Sequence, residues 1–172
     1  MKLEKNLEYR NVILRNYTKE DRRFCADMWM DPENGKYMSD PERKYLDAGY
    51  LEALYTLQDS EDVYYLIAED RDTGKRIGSS CIVPEGDTVD IGYCVTKEEW
   101  RKGYGYSILQ CIIAWCQEHD YKAITAEAAK DNKPSCGLLE KCGFTVIKDT
   151  EFKKYNMDIV YPSSIYRLEI NQ

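Results

Sequence analysis

The sequence is poor in the residues that metal sites and nucleophile dyads need. Its 172 residues include one histidine, His119, and none of the seven cysteines forms a CxxC pair. A zinc site, or a dyad of histidine with serine or cysteine, would have to be built on His119 alone. His119 falls late in a predicted helix, where a positive charge is favourable in any case. We therefore expect His119 to be structural and the protein to hold no metal.

The sequence also lacks long hydrophobic runs. No stretch is long and apolar enough to span a bilayer, and the first ten residues lack the apolar centre of a signal peptide. The odd number of cysteines, several in apolar surroundings, is typical of free thiols that pack as small hydrophobes. These features predict a cytoplasmic protein with no membrane partner.

Positive charge is in the minority. Lys and Arg number 24 against 31 Asp and Glu, which gives a formal net charge of −7. Nucleic-acid-binding proteins usually show a basic face, so no nucleic acid is expected as a partner. The negative charge is compatible with a cationic substrate, although solubility alone would also explain it. The length fits a single domain, 1–172, with a core of about residues 10–170.

Hydrophobic periodicity predicts seven strands and four helices. The strands are 11–17, 63–70, 76–83, 88–95, 122–130, 145–154 and 163–170. The helices are 18–30 with Thr18 as cap, 41–57 with Asp40 as cap, 104–118, and 131–144 ended by Gly143. A meander of strands that leads into strand–helix–strand implies an α/β (α+β) fold. Its mixed, mostly antiparallel sheet would have about seven strands, with helices on both faces.

The loop that opens the third helix has the composition of an anion site. It reads WRKGYG, residues 100–105, directly after a predicted strand. A helix start carries unpaired N–H groups and partial positive charge, and glycines let a phosphate approach them. No GxxxxGK[ST] or GxGxxG is present, so neither a P-loop nor a Rossmann site is expected. By itself the pattern fits either a phosphate site or a tight turn with solvated charges.

Two linked motifs resemble the GNAT superfamily of acyl-CoA-dependent N-acyltransferases. The loop resembles the family's [RQ]-x-x-G-x-[GA], with Gly103 and Gly105 at its glycines and Trp100 where Arg or Gln is common. Trp at that place is usual in the branch that acetylates ribosomal-protein N-termini. The segment NKPSCGLLEKCGF, 132–144, resembles the same branch's N-x-x-S-x-x-x-L-E-K-x-G-F. The resemblance spans about residues 10–170 in the family's order.

The resemblance implies acetyl-CoA as cosubstrate, held where a bulged strand splays from its neighbour. Pantetheine would pair with backbone groups of Tyr93, Cys94 and Val95, and a N–H near Val95 would face the thioester oxygen. Asn132 would contact the pantetheine arm, cap its helix, or do both. The pyrophosphate would rest on the N–H groups of Arg101, Lys102, Gly103, Tyr104, Gly105 and Tyr106.

The implied reaction is direct attack of a neutral amine on the thioester, with no acyl-enzyme. Asp90 is the candidate to orient or deprotonate the amine; the alternative is a solvated strand residue paired with Lys or Arg. The tyrosine that protonates the thiolate in many family members is Leu139 here, so that role does not carry over. Ser135 is the candidate partner of the CoA sulfur; the alternative is a local backbone hydrogen bond.

The sequence therefore supports one leading functional hypothesis and three alternatives. The leading one is an N-acetyltransferase acting on a protein N-terminus or a small amine. A non-catalytic acyl-CoA-binding or regulatory module is the second, since Leu139 removes the phenol. A transferase using another acyl-CoA or an aminoacyl donor is the third, and a scaffold without ligand the fourth. Both a monomer and a homodimer fit the terminal strand pair.

Overall fold

A computed structural model describes residues 1–170 as one eight-stranded mixed sheet with four α-helices. The strands are β1 (Leu7–Tyr9), β2 (Val12–Asn16), β3 (Tyr64–Asp70), β4 (Arg76–Glu85), β5 (Thr88–Val95), β6 (Ala123–Ala129), β7 (Thr145–Lys153) and β8 (Val160–Glu169). The helices are α1 (Arg22–Trp29), α2 (Ala48–Thr56), α3 (Tyr104–Glu118) and α4 (Lys133–Lys141). The strand order is β1-β2-β3-β4-β5-β6-β8-β7, and among these strands β5 and β6 alone run parallel. The predicted fold class is confirmed.

Alternation along the strands divides the apolar residues between the two faces of the sheet. In β3, Leu66 and Ala68 join the main core beneath α3 and α4, whereas Ile67 joins Tyr17 and Cys25 beneath α1. Successive strand residues point to opposite faces, so helices cover both sides. The face under α1 also carries Asp90 of the candidate site described below.

Helix α3 begins and ends where its sequence pattern predicts. Gly103 is its N-cap, with φ of 86°, a left-handed conformation that glycine adopts without strain. Buried apolar residues recur along the helix, among them Ile108, Ile112 and Trp115. At its end, His119 stacks on Trp115 with ring centroids 4.4 Å apart, and its Nδ1 lies 2.8 Å from the Trp115 carbonyl oxygen. This is the structural place predicted for His119.

The predicted second helix was wrong in its first half. Residues 41–47 contain only a short 3-10 helix, Arg43–Tyr45, and α2 begins at Ala48 with Asp47 as its cap. The Asp47 carboxylate accepts a hydrogen bond from the Tyr50 N–H at 2.7 Å. Asp40 does not cap a helix, because its carboxylate accepts the Tyr50 hydroxyl instead.

Smaller differences lie at the other element boundaries. The first helix starts as a 3-10 turn, Lys19–Asp21, after Thr18, and α1 follows from Arg22. An eighth strand, β1, pairs with β2 through a tight turn in which Arg10 has φ of 50°. The bulge that the family resemblance implied in β5 is absent from its ladder with β4, which runs without a register shift from Val95 to Thr88.

None of the helices in residues 1–170 has both the length and the apolarity to cross a membrane. Within the same residues, no group of three or more His, Cys, Asp or Glu side chains is arranged to hold a metal ion.

Candidate active site

A wedge-shaped opening forms where β5 leaves β6. The two parallel strands pair only from Thr88 to Ile91 on the β5 side, whereas β5 continues to Val95 along β4. Thr96 N–H donates to the Ile77 carbonyl of β4 at 2.9 Å. Backbone groups alternate between the two edges of a strand, so Tyr93 and Val95 direct theirs toward the edge that β6 has left. This edge is the place predicted for a ligand that pairs as an added strand.

The carbonyl of Val95 is held by two side chains. The indole N–H of Trp100 donates to it at 2.8 Å, and the Asn34 amide donates to it at 3.2 Å. Asn34 also accepts the Lys97 N–H at 2.6 Å. These bonds fix the end of β5 and leave the Val95 N–H as the donor at the open edge.

The loop before α3 has the backbone expected of an anion site. Arg101 and Gly103 both have positive φ, 63° and 86°, and no atom lies within 4 Å of a Cβ built on Gly103. The side chain of Arg101 is exposed. Lys102 is not free, because its ammonium pairs with the buried carboxylate of Glu99 at 2.8 Å. Positive charge offered by the loop therefore comes mainly from Arg101 and the helix N-terminus.

The other three residues predicted to hold the pyrophosphate, Tyr104, Gly105 and Tyr106, begin α3 and contact neighbouring elements. A Cβ on Gly105 would lie 2.9 Å from Leu138 Cδ2, so this glycine allows α3 to pack against α4. Tyr104 donates its hydroxyl to Asp70 at 2.7 Å, and the ring of Tyr106 lies edge-on to Tyr9. Their side chains are thus occupied by the fold, and any role in binding falls to their backbone.

The second motif places Asn132 and Ser135 at the start of α4. Asn132 is the N-cap, and its side-chain oxygen accepts the Ser135 N–H at 3.4 Å. The Ser135 hydroxyl does not bond to the local backbone. It lies 2.8 Å from the hydroxyl of Tyr93, which reaches it from β5. The two predicted site residues Tyr93 and Ser135 therefore meet across the opening.

Asp90 lies on the opposite face of β5 from Tyr93, half-buried, with Thr125 of β6 as partner. The Thr125 hydroxyl donates to its carboxylate at 2.8 Å. Burial raises the pKa of Asp90, the Thr125 bond opposes that, and the charges of Glu85 and Glu127 raise it further. Among residues 1–170, no Lys or Arg forms an ion pair with it. The pairing with Lys or Arg that the alternative interpretation expected is therefore not seen among these residues, and the catalytic role of Asp90 stays a prediction.

Two thiols share this face with Asp90. Register pairs Cys81 with Gly92 and Ser79 with Cys94. Burial raises the pKa of Cys81 to about 11, with contributions from the charges of Asp90 and Asp40, and that of Cys94 to about 12. Both stay protonated at neutral pH, the form in which a thiol is a poor nucleophile.

A covering segment, residues 31–47, closes this face. On one side Asn34 ties it to the end of β5, as described above. On the other, the buried ammonium of Lys154 donates to the carbonyls of Gly35 at 2.8 Å and Met38 at 2.7 Å. Asp40 of the segment has a raised pKa because of burial, although the Tyr50 hydroxyl opposes the shift.

Three of these features had no sequence signal. Asn34 lies in a stretch dense in turn-forming residues, where any one amide looks like any other. The contacts of Lys154 with the covering segment join residues more than 115 positions apart. The Tyr93 side chain was expected only to flank a backbone contact, since alternation does not reveal what a hydroxyl meets.

Comparison with known families agrees with this geometry. Residues 11–145 match the model of the acetyltransferase (GNAT) domain, which is well over half of the chain. The chain belongs to the GNAT family. It is an N-acetyltransferase of the acetyl-CoA-dependent class, as the two sequence motifs predicted.

Relatives of this N-acetyltransferase occur in Bacillus. It is 33% identical to YkkB of Bacillus subtilis over 106 residues, which are 58% of this chain and 60%, less than two thirds, of that protein. It is 25% identical to p20 of Bacillus licheniformis, described as an uncharacterised N-acetyltransferase, over 92% of this chain and 94% of p20.

Solved structures share the fold at low identity. Spermidine N-acetyltransferase from Vibrio cholerae, solved with CoA and spermine, superposes with a TM-score of 0.77 at 17% identity, over 93% of this chain and 96% of that one. Ribosomal-protein-S5-alanine acetyltransferase from Vibrio fischeri gives a TM-score of 0.72 at 15% identity, over 98% of each chain. At such identities the likeness extends to the fold alone.

Proposed function

We propose that this enzyme transfers the acetyl group of acetyl-CoA to a primary amine by direct attack of the neutral amine on the thioester. The observation that carries the proposal is the free edge of β5 beyond Ile91, which lies between the left-handed loop at Gly103 and the half-buried carboxyl of Asp90. An acyl donor and an amine could reach one strand from its two sides there.

The donor side fits acetyl-CoA. Tyr93, Cys94 and Val95 would hold the pantetheine through their backbone, with Asn132 at the start of α4 beside it. The N–H groups from Arg101 to Tyr106 would hold the pyrophosphate, since Gly103 leaves the space above them open. Val95 N–H would donate to the thioester oxygen as charge develops on it.

Asp90 would accept the proton that the acceptor nitrogen must lose, directly or through water. A carboxyl whose pKa is raised toward neutrality is better suited to this task than an ordinary one. Ser135 would donate its hydroxyl to the departing sulfur. We propose no acyl-enzyme, because these residues offer no activated nucleophile. Cys81 and Cys94 stay protonated, and His119 is bonded to the far end of α3.

A cationic acceptor is favoured over a neutral one. Asp90, Glu85 and Glu127 influence one another on the same side of the sheet, and Asp40 covers it. Among residues 1–170, no Lys or Arg forms an ion pair with Asp90, Glu85 or Glu127, so their uncompensated negative charge would favour an ammonium group over a neutral ligand. A polyamine and a protein N-terminus both satisfy this requirement, and the structures with this fold include a spermidine N-acetyltransferase and a ribosomal-protein-S5-alanine acetyltransferase.

A second candidate is a non-catalytic acyl-CoA-binding or regulatory module. Leu139, where many family members have an acidic phenol, favours it. Such a module would bind acetyl-CoA as the enzyme does, and only turnover separates the two. Comparing acyl-CoA species of different chain length distinguishes acetyl-CoA from another acyl donor.

The first experiment is thermal unfolding with acetyl-CoA, free CoA or NADH. Ligand at about 100 times its dissociation constant should stabilise the fold by about 2.7 kcal/mol. Stabilisation by the CoA species and not by NADH supports the donor assignment, and no stabilisation by any CoA species would overturn it. The next is thiol release from acetyl-CoA with spermidine, a peptide with a free N-terminus, and the same peptide with a blocked one. If thiol is released only with free amines, acetyl transfer to amines is supported. If none of the acceptors leads to thiol release, the regulatory module is supported.

The variant Asp90→Asn tests the base assignment. We expect kcat to fall by about 10²- to 10⁴-fold, the usual contribution of general-base catalysis. Asp87→Asn, at an exposed turn position three residues earlier, is the matched control and should keep wild-type turnover. Equal turnover of the two variants would contradict a catalytic role for Asp90.

We also propose a cytoplasmic location and leave monomer and homodimer as outcomes of a sizing measurement. All seven cysteines are free thiols, which suits a reducing compartment. The terminal strand β7 lies at the edge of the sheet with Val146 and Ile147 exposed, which suits a pairing surface.

A further inference from the structure

The hydroxyls of Tyr93 and Ser135 form a bridge across the opening between β5 and α4. Tyr93 lies two residues beyond Ile91, the last β5 residue paired with β6, and Ser135 lies in the first turn of the helix that follows β6. Their oxygens are 2.8 Å apart. The bridge therefore joins the two elements that would enclose the reactive end of the donor.

A phenol thus reaches this region from the strand and not from the helix. Leu139, one turn further along α4, is fully buried in the main core and offers no polar group. The Tyr93 ring is itself packed against that core, so its hydroxyl is directed rather than free. Its one hydrogen-bond partner among the side chains of residues 1–170 is Ser135.

The hydrogen count of the pair links the direction of this bond to which hydroxyl keeps a hydrogen for a third group. Each hydroxyl brings one hydrogen, and one of the two is used between them. If Tyr93 donates, the hydrogen of Ser135 remains available for a third group. If Ser135 donates, it presents only lone pairs, which would repel a developing thiolate.

We propose that Tyr93 is a positioning residue that donates to Ser135 and thereby aims the serine hydrogen at the leaving sulfur. This inference rests on the proposed function. The C–S bond breaks with its electron pair on sulfur, the new C–N bond forms, the amine proton passes to Asp90, and the thiolate takes its proton from solvent. Neither hydroxyl gives up its proton in this scheme.

The acidity of Tyr93 agrees with a donor role and not with that of an acid. Burial raises its pKa to about 12, although the Ser135 bond opposes the shift. The phenol stays protonated over the working range of pH. It is too weak an acid to protonate a thiolate, whose conjugate thiol has an ordinary pKa of about 8.5. Its effect on the sulfur must therefore pass through the orientation and polarisation of Ser135.

The test is a double-mutant cycle on turnover. Tyr93→Phe keeps the packed ring and removes only the hydroxyl; we expect kcat to fall about 10-fold with the KM for acetyl-CoA unchanged. Ser135→Ala should lower kcat at least as much. The double variant should be no slower than Ser135→Ala, because Tyr93 has nothing left to orient.

Tyr166→Phe is the matched control. Tyr166 is a buried phenol on the same side of the sheet that faces Cys136 of α4, next to Ser135. Its variant should keep wild-type kcat, so a general response to losing a buried hydroxyl would appear in both variants. Equal loss in Tyr93→Phe and Tyr166→Phe, additive losses in the double variant, or wild-type kcat in Tyr93→Phe would each overturn the proposal.

A structure with bound CoA gives a second, independent outcome. Ser135 Oγ within hydrogen-bonding distance of the sulfur supports the proposal, and a sulfur out of its reach overturns it even if no acceptor is found. Failure of the proposed function looks different, because it shows as wild-type protein that binds no CoA species or releases no thiol with any amine.

Discussion

Gly78 of β4 is the position where adding one methyl group should most directly disturb the donor side of the site. It pairs with Val95 at the end of β5. A Cβ built there would lie 2.3 Å from the Cys94 carbonyl oxygen and 3.2 Å from Val95 Cα. Both atoms are backbone, so no side-chain rotation can relieve the contact.

The size of the effect of Gly78→Ala follows from these distances. Ordinary van der Waals contact begins at 3.4 Å, which is 1.1 Å more than the distance available to the Cys94 oxygen. The strands must part by roughly that amount, at a cost of about 1–3 kcal/mol, typical of overpacking. In a chain of this length, that lowers the melting temperature by about 2–12 °C. A displacement of about 1 Å at Val95 should also reduce turnover by up to about 100-fold.

Thermal unfolding without ligand, and thiol release at saturating and limiting acetyl-CoA, measure the two effects. Gly137→Ala is the control, since nothing lies within 4 Å of its Cβ in the interior of α4. That variant should gain about 0.5–1 kcal/mol of stability and keep its turnover. If Gly78→Ala melts with the wild type and keeps its KM for acetyl-CoA, the close approach of β4 and β5 does not position the site.

Three further substitutions test other parts of the structure. The pKa of Asp90 is raised in the folded protein, so its contribution to stability is complete below its ordinary pKa and is lost as pH rises through the raised pKa. At pH 8, Asp90→Asn should therefore raise the melting temperature while it lowers kcat. A lower melting temperature would contradict this. Lys154→Met should cost about 2–4 kcal/mol in chemical unfolding, because buried carbonyls of the covering segment lose their donor, and an unchanged midpoint would refute that. Leu139→Tyr should lose about 1–3 kcal/mol in the same assay without gaining kcat, since the position is fully buried; a higher kcat would show that the site lacks a phenol there.

The sequence predicted the elements whose signals are local. The bounds of helix α3 could be predicted from sequence because Gly103, which is left-handed in the structure, precedes a long apolar stripe that ends near a lone histidine. The meander of β3, β4 and β5 was found because Gly74, with φ of 68°, marks the first turn between alternating strands. In such segments the local preference and the tertiary fold agree, so the pattern is sufficient.

The covering segment could not be predicted, because there the local preference and the tertiary fold disagree. Asp40-Pro41 has the pattern of a helix start, but Asp47 offers a second cap downstream. The choice between them depends on Tyr50, whose N–H is bound by Asp47 and whose hydroxyl is bound by Asp40. Lys154, far along the chain, further fixes the segment before it. Tertiary contacts of this kind override local capping signals.

In the candidate site, too, local sequence signals predicted some residues, and tertiary contacts determine the rest. The loop glycines and Asn132 were assigned from two short motifs, and the structure places Gly103 and Asn132 at the N-caps of α3 and α4. The hydrogen-bond partners of Asp90 and Ser135 are Thr125 and Tyr93, which lie 35 and 42 residues away. Strand pairing and splaying bring these groups together, and no spacing rule encodes that.

Trp100 shows what a departure from a motif can mean. The family pattern has Arg or Gln at this place, and a missing charge at an anion site would ordinarily weaken the assignment. Here the indole N–H donates to the Val95 carbonyl, so the side chain braces the strand end. Because the proposed anion site would consist of backbone N–H groups, its demands would fall on Gly103, which has a φ of 86°. The glycine is therefore the position that the chemistry restricts, and the first letter of the motif is free to serve the fold.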